Sequence, residues 1–507
     1  MSNKVFDRVG IKKPRYSGFN LSREQKLSCK MGELVPTYFE EIMPGDEFKV
    51  HSEIMVRFAP MLAPIMHRVD AYIHYFYVPL RIVWDEFQDF ITGGKDGTSE
   101  PILPTFSLDA GASNPSYSKL LDYFGLPTVL AEQSSTLQVS QLPLRAYQLI
   151  FNEYYRDQNL QNEIDFTTGA LTDIGRLRYR CWGKDYFTSA LPILQRGEAV
   201  GIPIEPVYLD QSEVYLDNGG DPGSGVDIRT LTGGSGSRKL ATELNDPIRI
   251  ENLDTTSFDF TVNELRTSSA LQRWLEKSAR GGYRYNETIL AQYGVHTGDA
   301  RLQRPEYLGG GKTPLVVSEV VSTAKTLKSD NTLDNPVGEM AGHGISMGTS
   351  NSFRKRFTEH GYVIGILSVL PKTSYQQGIH RTWTRNDKFD FAWPELANLG
   401  EQEIFNYELF YDPDDDAYNK ATFGYQQRYA EYKYGFSTVH GDFRNTLDFW
   451  HLGRIFGSQP NLNEDFVKSN PDTRIFAVTG TDHCWVQMYH NVKVRRALPF
   501  FADPRLI

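Results

Sequence analysis

The sequence has few cysteines and no long apolar segment, and both absences limit what the protein can be. Cys29, Cys181 and Cys484 are odd in number and far apart along 507 residues. This spacing argues against a disulfide framework and a CxxC metal site, so small buried side chains are expected. The longest uncharged apolar run, residues 362–370, has about half the length that a membrane-spanning helix requires. The amino-terminal sequence MSNKVFDRVG is charged and lacks the apolar core of a secretory signal. We therefore expect a protein that is made in a cytoplasm and does not enter a membrane.

The composition is otherwise that of a globular protein. Hydrophobic residues make up 40% of the chain and charged residues 23%, which excludes the disordered and collagen-like classes. The aromatic share of 13% favours strands and surfaces that become buried in contacts. The length leaves the number of domains open, because an all-β fold with long insertions can form one large domain.

The net charge of −10 is unevenly distributed along the chain. Residues 1–30 form a basic amino-terminal arm with eight cations and two anions, so the arm carries +6 and the rest of the chain −16. A basic arm on an acidic body is a common device for holding nucleic acid without sequence specificity. A solvated terminus whose charges have no function is the alternative that the composition leaves open.

Five segments have the pattern of β-strands, and one of them, residues 69–78, is apolar and aromatic on nearly both faces. Residues 48–59 and 484–495 alternate between apolar and polar side chains, which predicts two half-buried strands of one sheet system near the two ends of the chain. Residues 362–370 and 315–321 are almost entirely apolar, which predicts strands buried on both faces. A helix with an aromatic stripe that faces the core is predicted to begin near Pro143.

The middle of the chain contains a long stretch with loop chemistry. The periodicity weakens between about residues 200 and 262, and residues 217–237 are rich in glycine and serine, which resist packing. A long loop adds little closure entropy, about 0.6 kcal/mol per doubling of its length, if it leaves the body at the surface. We expect this stretch to project outward.

Three short motifs resemble active or metal sites without completing them. Residues 309–313 read GGGKT, but Glu306 stands where a phosphate-binding loop needs its first glycine. Residues 344–348 match GxSxG without the strand–turn–helix flanks of a nucleophile elbow. The acidic residues 412–416 lack the glycine of a calcium loop at the sixth position, which leaves only an irregular calcium site open. The sequence therefore predicts no catalytic residue, no cofactor site and no metal site.

Several sequence strings occur in an order that resembles a known family. The strings are RFAPMLAPI at 57–65, YIHYFYVP at 72–79, WDEFQDFITGG at 84–94, NEYYRD at 152–157, WLEKSARGGY at 274–283 and FGYQQRYAEYK at 423–433. Together they resemble the major capsid protein of microviruses, the small icosahedral single-stranded DNA phages, and most of all its gokushovirus branch. Each string alone is modest, but so many in one order are specific, and they span most of the chain.

The resemblance implies a mainly β fold. It implies an eight-stranded antiparallel jelly roll of the viral capsid type, with long insertions that contain helices and loops. One jelly-roll capsid domain would extend over residues 31–507, after the basic arm at residues 1–30. A surface protrusion would be inserted at about residues 200–262, where gokushoviruses have an insertion at the threefold axis, and host attachment is its expected use.

The resemblance also implies a structural function and a set of partners. Many copies of the chain would assemble, through pentameric precursors, into an icosahedral shell around a single-stranded DNA genome, and the aromatic-rich loops suit such contacts. The other implied partners are a small basic internal protein, a scaffolding protein, a DNA-pilot protein and a host surface receptor. The protein would be made in the host cytoplasm and located in the virion.

Six basic residues are the candidates for contact with the DNA. They lie in the amino-terminal arm and at the basic end of the last predicted strand: Lys12, Lys13, Arg15, Lys493, Arg495 and Arg496. Such groups would neutralise phosphates without reading bases. Subunit bridging by Arg495 and Arg496 is the alternative role for the last two. A jelly-roll carbohydrate-active enzyme or carbohydrate-binding protein is the alternative function, although neither explains the basic arm.

Overall fold

The computed structural model describes residues 16–95, 98–109, 115–127, 134–197, 215–216, 248–249, 262–281, 287, 290–291, 298–323, 326–327, 333–335 and 338–501. Contacts between residues divide the chain into two compact units. The first consists of Met1–Leu194 and Arg280–Ile507, and the second of Gln195–Ala279. The first unit contains the main β-sheet and the candidate site.

The main sheet of the first unit is antiparallel and has nine strands within the described residues. In chain order they are Ser17–Asn20 (β1), Arg23–Cys29 (β2), Val35–Ile42 (β3), Glu47–Phe58 (β4), Val69–Pro79 (β5), Glu306–Val321 (β6), Met340–Arg356 (β7), Gly361–Pro371 (β8) and Cys484–Arg496 (β9). Their spatial order is β1-β9-β4-β7-β6-β5-β8-β3, and β2 also pairs with β9. Because β1 and β2 pair with different parts of β9, the nine strands occupy eight positions. The predicted mainly β fold of the jelly-roll capsid type is confirmed.

Strand β6 joins the two halves of this sheet. Residues 306–315 pair with β5, and residues 316–321 pair with β7. The sheet therefore curls over on itself, and side chains from its two halves meet in one core. The ring of Tyr75 on β5 lies 6.1 Å from that of Tyr38 on β3 and 5.1 Å from that of Phe353 on β7.

Four of the five predicted strands have the predicted burial, including residues 69–78, which form most of β5 and are buried on nearly both faces. Strands β4 and β9 are half-buried and adjacent in the sheet, and every residue of β8 is buried. The prediction for residues 315–321 was wrong, because in the second half of β6 the side chains of Val316 and Val320 are 62% and 55% exposed. The segment is a strand, but no other described strand or helix covers these side chains extensively.

Two of the three short motifs lie inside strands. The GGGKT residues lie in β6, and the GxSxG residues lie in β7.

The helices lie in the connections between the strands. Those described are Phe87–Thr92 (α1), Pro115–Tyr123 (α2), Leu142–Ile150 (α3), Leu171–Ile174 (α4), Val262–Gly281 (α5), Asn406–Leu409 (α6), Asp416–Lys420 (α7), Ala430–Lys433 (α8) and Glu464–Val467 (α9). A π-helical turn, Phe151–Tyr155, continues α3. The predicted aromatic stripe is buried at Tyr147, Phe151 and Tyr155. Within the described residues, no helix combines the length and the apolar character needed to cross a membrane.

A second, smaller hydrophobic core is formed by the insertion between β8 and β9 together with residues 186–190 of the connection between β5 and β6. Strands Glu401–Phe405 and Thr422–Gln427 form a hairpin there, and the ring of Phe187 packs against those of Tyr375 and Phe423. Four further pairs of short strands occur in the described residues: Thr105–Asp109 with Ser134–Ser140, Ser374–Tyr375 with Ser437–Thr438, Tyr215–Leu216 with Ile248–Arg249, and Thr326–Leu327 with Leu333–Asn335. Residues 217–237 lie outside the described residues, so the protrusion stays a prediction.

Candidate nucleic-acid interface

One face of the main sheet is exposed along β4 and β9. Exposure alternates from residue to residue in both strands, because successive side chains of a strand point to opposite faces. Even-numbered side chains enter the core and odd-numbered ones point away from it. Among the described elements, no helix makes an extensive contact with β4 or β9. This outer face is therefore open to a partner.

Backbone pairing aligns cations across the outer face. Lys493 of β9 is paired with Lys49 of β4, and Lys49 is paired with Arg354 of β7. In the next row, Glu47 of β4 lies between Arg495 of β9 and Arg356 of β7. Neighbouring strands are about 4.8 Å apart, so five cations are gathered around one carboxylate. We call Lys49, Arg354, Arg356, Lys493 and Arg495 the cationic face.

The two lysines are the unusual part of the cationic face. Lys49 and Lys493 are directly opposite each other and both are exposed. Neither forms a salt bridge with a carboxylate of the described residues. Like charges directly opposite on antiparallel strands are destabilising. The pair is therefore suited to an anion that lies over both ammonium groups.

Glu47 neutralises only part of this charge. Arg354 donates two hydrogen bonds to Glu47 Oε1, at 3.1 Å from Nε and 2.6 Å from Nη2. This contact, with smaller contributions from the charges of Arg495 and Arg356, lowers the pKa of the Glu47 carboxyl. Glu47 thus stays ionised, and the five cations together with Glu47 carry a net charge of about +4 at neutral pH.

The second half of the basic arm (residues 1–30) contains β1 and β2 and is part of the main sheet, beside the cationic face. Strand β1 pairs with β9 from Ser17 opposite Arg496 to Asn20 opposite Lys493. The Arg495 guanidinium lies 5.3 Å from the centre of the Tyr16 ring. Residues 12, 13 and 15, which are Lys12, Lys13 and Arg15, lie outside the described residues, but they are covalently attached at this point. The contact of these three residues with DNA stays a prediction.

Arg496 is placed differently from Lys493 and Arg495. It follows the even, core-facing positions of β9, and only 17% of its side chain is exposed. Its Nε lies 2.9 Å from Oδ2 of Asp46, whose side chain is fully buried, and its Nη2 donates to the Glu41 carbonyl at 2.6 Å. The guanidinium is thus already paired within the subunit, and we do not include it in the cationic face.

Aromatic side chains lie further along the same outer face. Trp485 and Tyr489 of β9 are 46% and 37% exposed. Both are at odd positions of β9, as Lys493 and Arg495 are. Trp485 is paired with Arg57 of β4, whereas Tyr489 lies between Glu24 of β2 and Glu53 of β4. Rings and cations on one face are the two components of surfaces that bind single-stranded nucleic acid, because the rings stack on unpaired bases and the cations contact phosphates.

Sequence reasoning found two members of the cationic face, Lys493 and Arg495, and missed three. Lys49, Arg354 and Arg356 lie in two other strands, and only the register of β4 and β7 brings them to the same place. The alternation of residues 48–59 could have placed Lys49 on an outer face. Nothing in the sequence identified β9 and β7 as the neighbours of β4.

No metal centre is found in the part of the chain that the structure describes, where no three His, Cys, Asp or Glu side chains could hold an ion together. In the acidic loop, Asp415 accepts a hydrogen bond from the Tyr418 amide at 2.8 Å and so caps α7. Asp412 accepts one from the Gln459 side chain at 2.9 Å. These two carboxylates have structural roles. The absence of metal, cofactor and catalytic residues stays a prediction.

Comparison with known proteins identifies the family. A family model described as capsid protein (F protein) matches residues 10–506. Capsid protein VP1 of Chlamydia phage 1 is 36% identical in an alignment that covers the whole of this chain and 98% of that relative. VP1 of Bdellovibrio phage phiMH2K is also 36% identical, over 92% of this chain and 90% of the relative, and VP1 of Spiroplasma virus 4 is 29% identical, over 94% and 92%. With its curled antiparallel sheet, the chain belongs to the capsid protein (F protein) family of the microviruses.

Proposed function

We propose that many copies of this chain assemble into an icosahedral shell that encloses a single-stranded DNA genome, and that the cationic face contacts this DNA. Family membership supports the role of a major capsid protein, located in the virion. The observation that carries the DNA contact is the pairing of Lys49 with Lys493 on an open face, without a carboxylate partner among the described residues. A phosphate placed over the two ammonium groups would remove their repulsion.

Single-stranded DNA fits this face better than a folded acidic protein does. Trp485 and Tyr489 offer stacking surfaces at the same outer positions as the cations, and stacking on aromatic rings is available to unpaired bases of any sequence. The contacts would be to phosphates, which carry no sequence information. The basic arm, attached at Tyr16, would add Lys12, Lys13 and Arg15 to the same contact.

If the cationic face contacts DNA, removing its cations should make the affinity for single-stranded DNA less dependent on salt concentration. Replacing Lys49, Lys493 and Arg495 by glutamine removes up to three phosphate contacts, and each contact contributes about 0.7 to the slope of log K against log salt concentration for single strands. We therefore expect the slope for an oligodeoxythymidylate to fall by about 2, measured by fluorescence anisotropy with the dissociated full-length protein.

The control replaces three exposed lysines outside the cationic face, Lys95, Lys420 and Lys433, so it makes the same change in net charge. Its salt dependence should stay close to that of the wild type. Equal slopes in the two triple variants would contradict the assignment. Glu47→Gln, which removes the one carboxylate of the two rows, should strengthen binding.

The assembly part of the proposal is tested by sedimentation. The purified chain should form particles or pentameric precursors, whereas a carbohydrate-binding protein or carbohydrate-active enzyme would not. We further propose the small basic internal protein, the scaffolding protein and the DNA-pilot protein as partners in the particle, and synthesis in the host cytoplasm before assembly. A structural role of this kind requires no catalytic residue.

Host attachment is proposed for the protrusion. Residues 217–237 are glycine- and serine-rich, and such loops contribute little to a packed core. Replacing them with a short Gly-Ser linker should leave particle assembly intact and impair attachment to a host surface receptor, as measured by particle yield and by adsorption of particles to cells. Loss of soluble protein in this variant would contradict the proposal.

A further inference from the structure

A segment of the insertion between β8 and β9 presents aromatic side chains to solvent. The residues from 381 to 400 are exposed or partly exposed, and among them the Arg385 side chain is largely covered. Trp383, Phe389, Phe391 and Trp393 are 84%, 54%, 51% and 45% exposed, and Tyr432 beside them is 52% exposed. We call these five residues the aromatic surface. Apolar rings of this size normally lie in a core or an interface.

Local hydrogen bonds hold this segment in a defined conformation. The Asp390 carboxylate accepts from the amides of Asn386 and Asp387, both at 2.8 Å. The Trp393 indole donates to the Lys388 carbonyl at 2.8 Å. These bonds fix the backbone on which Phe389, Phe391 and Trp393 stand. The rings are therefore exposed by an ordered structure.

Arg385 connects the segment to the body of the insertion. Its guanidinium lies 5.4 Å from the centre of the Phe391 ring and 4.6 Å from that of Tyr432. It also pairs with Glu431 of α8 at 3.6 Å, and the two side chains are only 9% and 5% exposed. A cation fixed between two rings in this way makes the aromatic surface continuous across two parts of the chain.

The exposed aromatic area is comparable to the largest apolar patch of a typical monomer, and such patches are often functional. Four side chains of the size of Trp and Phe, at the exposures given above, present roughly 500 Å² of mostly apolar surface. A standard interface buries about 800 Å² on each partner, so these rings supply more than half of one side. Trp, Tyr and Arg are also the residues that dominate binding energy at interface centres.

We propose that the aromatic surface is a contact between copies of this chain in the shell, which rests on the self-assembly part of the proposed function. A shell must bury apolar area between its copies, and permanent contacts of this kind are more apolar than transient ones. A receptor-binding surface, in contrast, stays in water on the finished particle. Repeated on every copy, the patch would place many apolar surfaces on the outside of one particle, which favours aggregation.

Oxidative footprinting tests the contact on the unmodified protein. Hydroxyl radicals label exposed aromatic side chains, and mass spectrometry locates the label at Trp383, Phe389, Phe391 and Trp393. We expect these residues to be labelled strongly in the dissociated protein and roughly tenfold less in intact particles, because an interface core excludes water. Equal labelling in the two states would overturn the proposal.

Two variants provide the second test. Trp383→Ser with Phe391→Ser should lower particle yield at least roughly tenfold, since central aromatic side chains dominate interface energy. The dissociated variant should unfold at the same urea concentration as the wild type, because both side chains are exposed. The control, Glu395→Gln, changes an exposed polar residue of the same segment and should assemble normally. Normal assembly of the double variant would overturn the contact, whereas a wild-type chain that forms no particles would overturn self-assembly itself.

Discussion

Replacing Arg496 by glutamine is expected to lower the free energy of unfolding by about 3–5 kcal/mol. Arg496 is the cation nearest to the Asp46 carboxylate, which is fully buried and also accepts a hydrogen bond from the Met43 amide at 3.0 Å. Removing the guanidinium leaves a charge in the interior with no opposite charge beside it. The loss is larger than that of an ordinary hydrogen bond, which is about 1 kcal/mol. Urea unfolding of the dissociated protein measures it.

The neighbouring arginine is the matched control for this change. Arg495 is exposed on the outer face, so Arg495→Gln should change stability by no more than about 0.5 kcal/mol. Asp46→Asn added to Arg496→Gln should recover part of the loss, because it removes the buried charge and leaves an oxygen that can accept from the Met43 amide. A loss below about 1 kcal/mol for Arg496→Gln alone would contradict the structural role.

Arg495 and Arg496 show which structural features the sequence predicts and which it does not: it predicts the face of each side chain but not its partner. The alternation of residues 484–495 predicted β9 correctly, and by the same period Arg495 and Arg496 point to opposite faces. The partner of Arg496 could not be predicted, because Asp46 is 450 positions away in the chain. Its burial depends on the turn between β3 and β4 and on the packing of β9 against β4.

The cysteines also show that partners distant in the sequence could not be predicted from it. Cys29 and Cys484 are far apart in the sequence, yet they are paired directly opposite each other on β2 and β9, and both are buried. All three cysteines are free thiols, and burial raises the pKa of the Cys484 thiol. The expectation of small buried side chains is confirmed for this pair, whereas Cys181 is partly exposed.

Strand pairing determines which side chains are buried and which charges lie next to each other, and composition does not predict either. The apolar pattern of residues 315–321 predicted full burial, but the valines of that segment lie where β6 turns from one half of the sheet to the other. The same register places Lys49 between Lys493 and Arg354. The local sequence patterns thus predicted where the strands lie. The order of the strands in the sheet, which those patterns did not predict, brings the residues of the candidate site together.

Acidification from pH 7 to pH 5 is expected to destabilise the folded chain, because two buried histidines are neutral in it. Burial, the largest cause, lowers the pKa of His490 and of His483 to about 4. In the unfolded chain a histidine has a pKa of about 6.5. The stabilisation is therefore complete above pH 6.5, is lost as the pH falls towards 4, and changes no further below it.

The hydrogen bonds of His490 define its neutral tautomer, whereas burial lowers its pKa most and the bond to Thr37 opposes that shift. Nδ1 of His490 accepts from the Ser52 hydroxyl at 2.7 Å, while its Nε2 donates to the Thr37 carbonyl at 3.0 Å. The Ser52 oxygen in turn accepts from the Tyr75 hydroxyl, so a proton on Nδ1 would force the Ser52 hydroxyl to turn its own proton away from the ring and would remove that hydrogen bond. The charge of Arg23 also opposes protonation of His490.

His483 has the opposite tautomer, and its protonation would likewise disturb a hydrogen bond. Its Nε2 accepts from the Met31 amide at 3.0 Å, so a proton on Nε2 would face another N–H. The charges of Lys30 and Lys119 also lower its pKa, and that of Asp482 opposes them without reversing the shift. His67 and His74 have lowered pKa values as well, but both are partly exposed and should contribute less.

The two buried rings predict a loss of about 2 kcal/mol each at pH 5. His490→Gln and His483→Gln keep one hydrogen bond of each ring and cannot take up a proton, so each variant should flatten the dependence of stability on pH by about that amount, even if its stability at pH 7 is lower. His440→Gln, at an exposed position, is the control and should leave the dependence unchanged. Urea unfolding between pH 7 and pH 5 measures all four proteins, and parallel curves for the wild type and the buried variants would show that these histidines do not set the acid sensitivity of the fold.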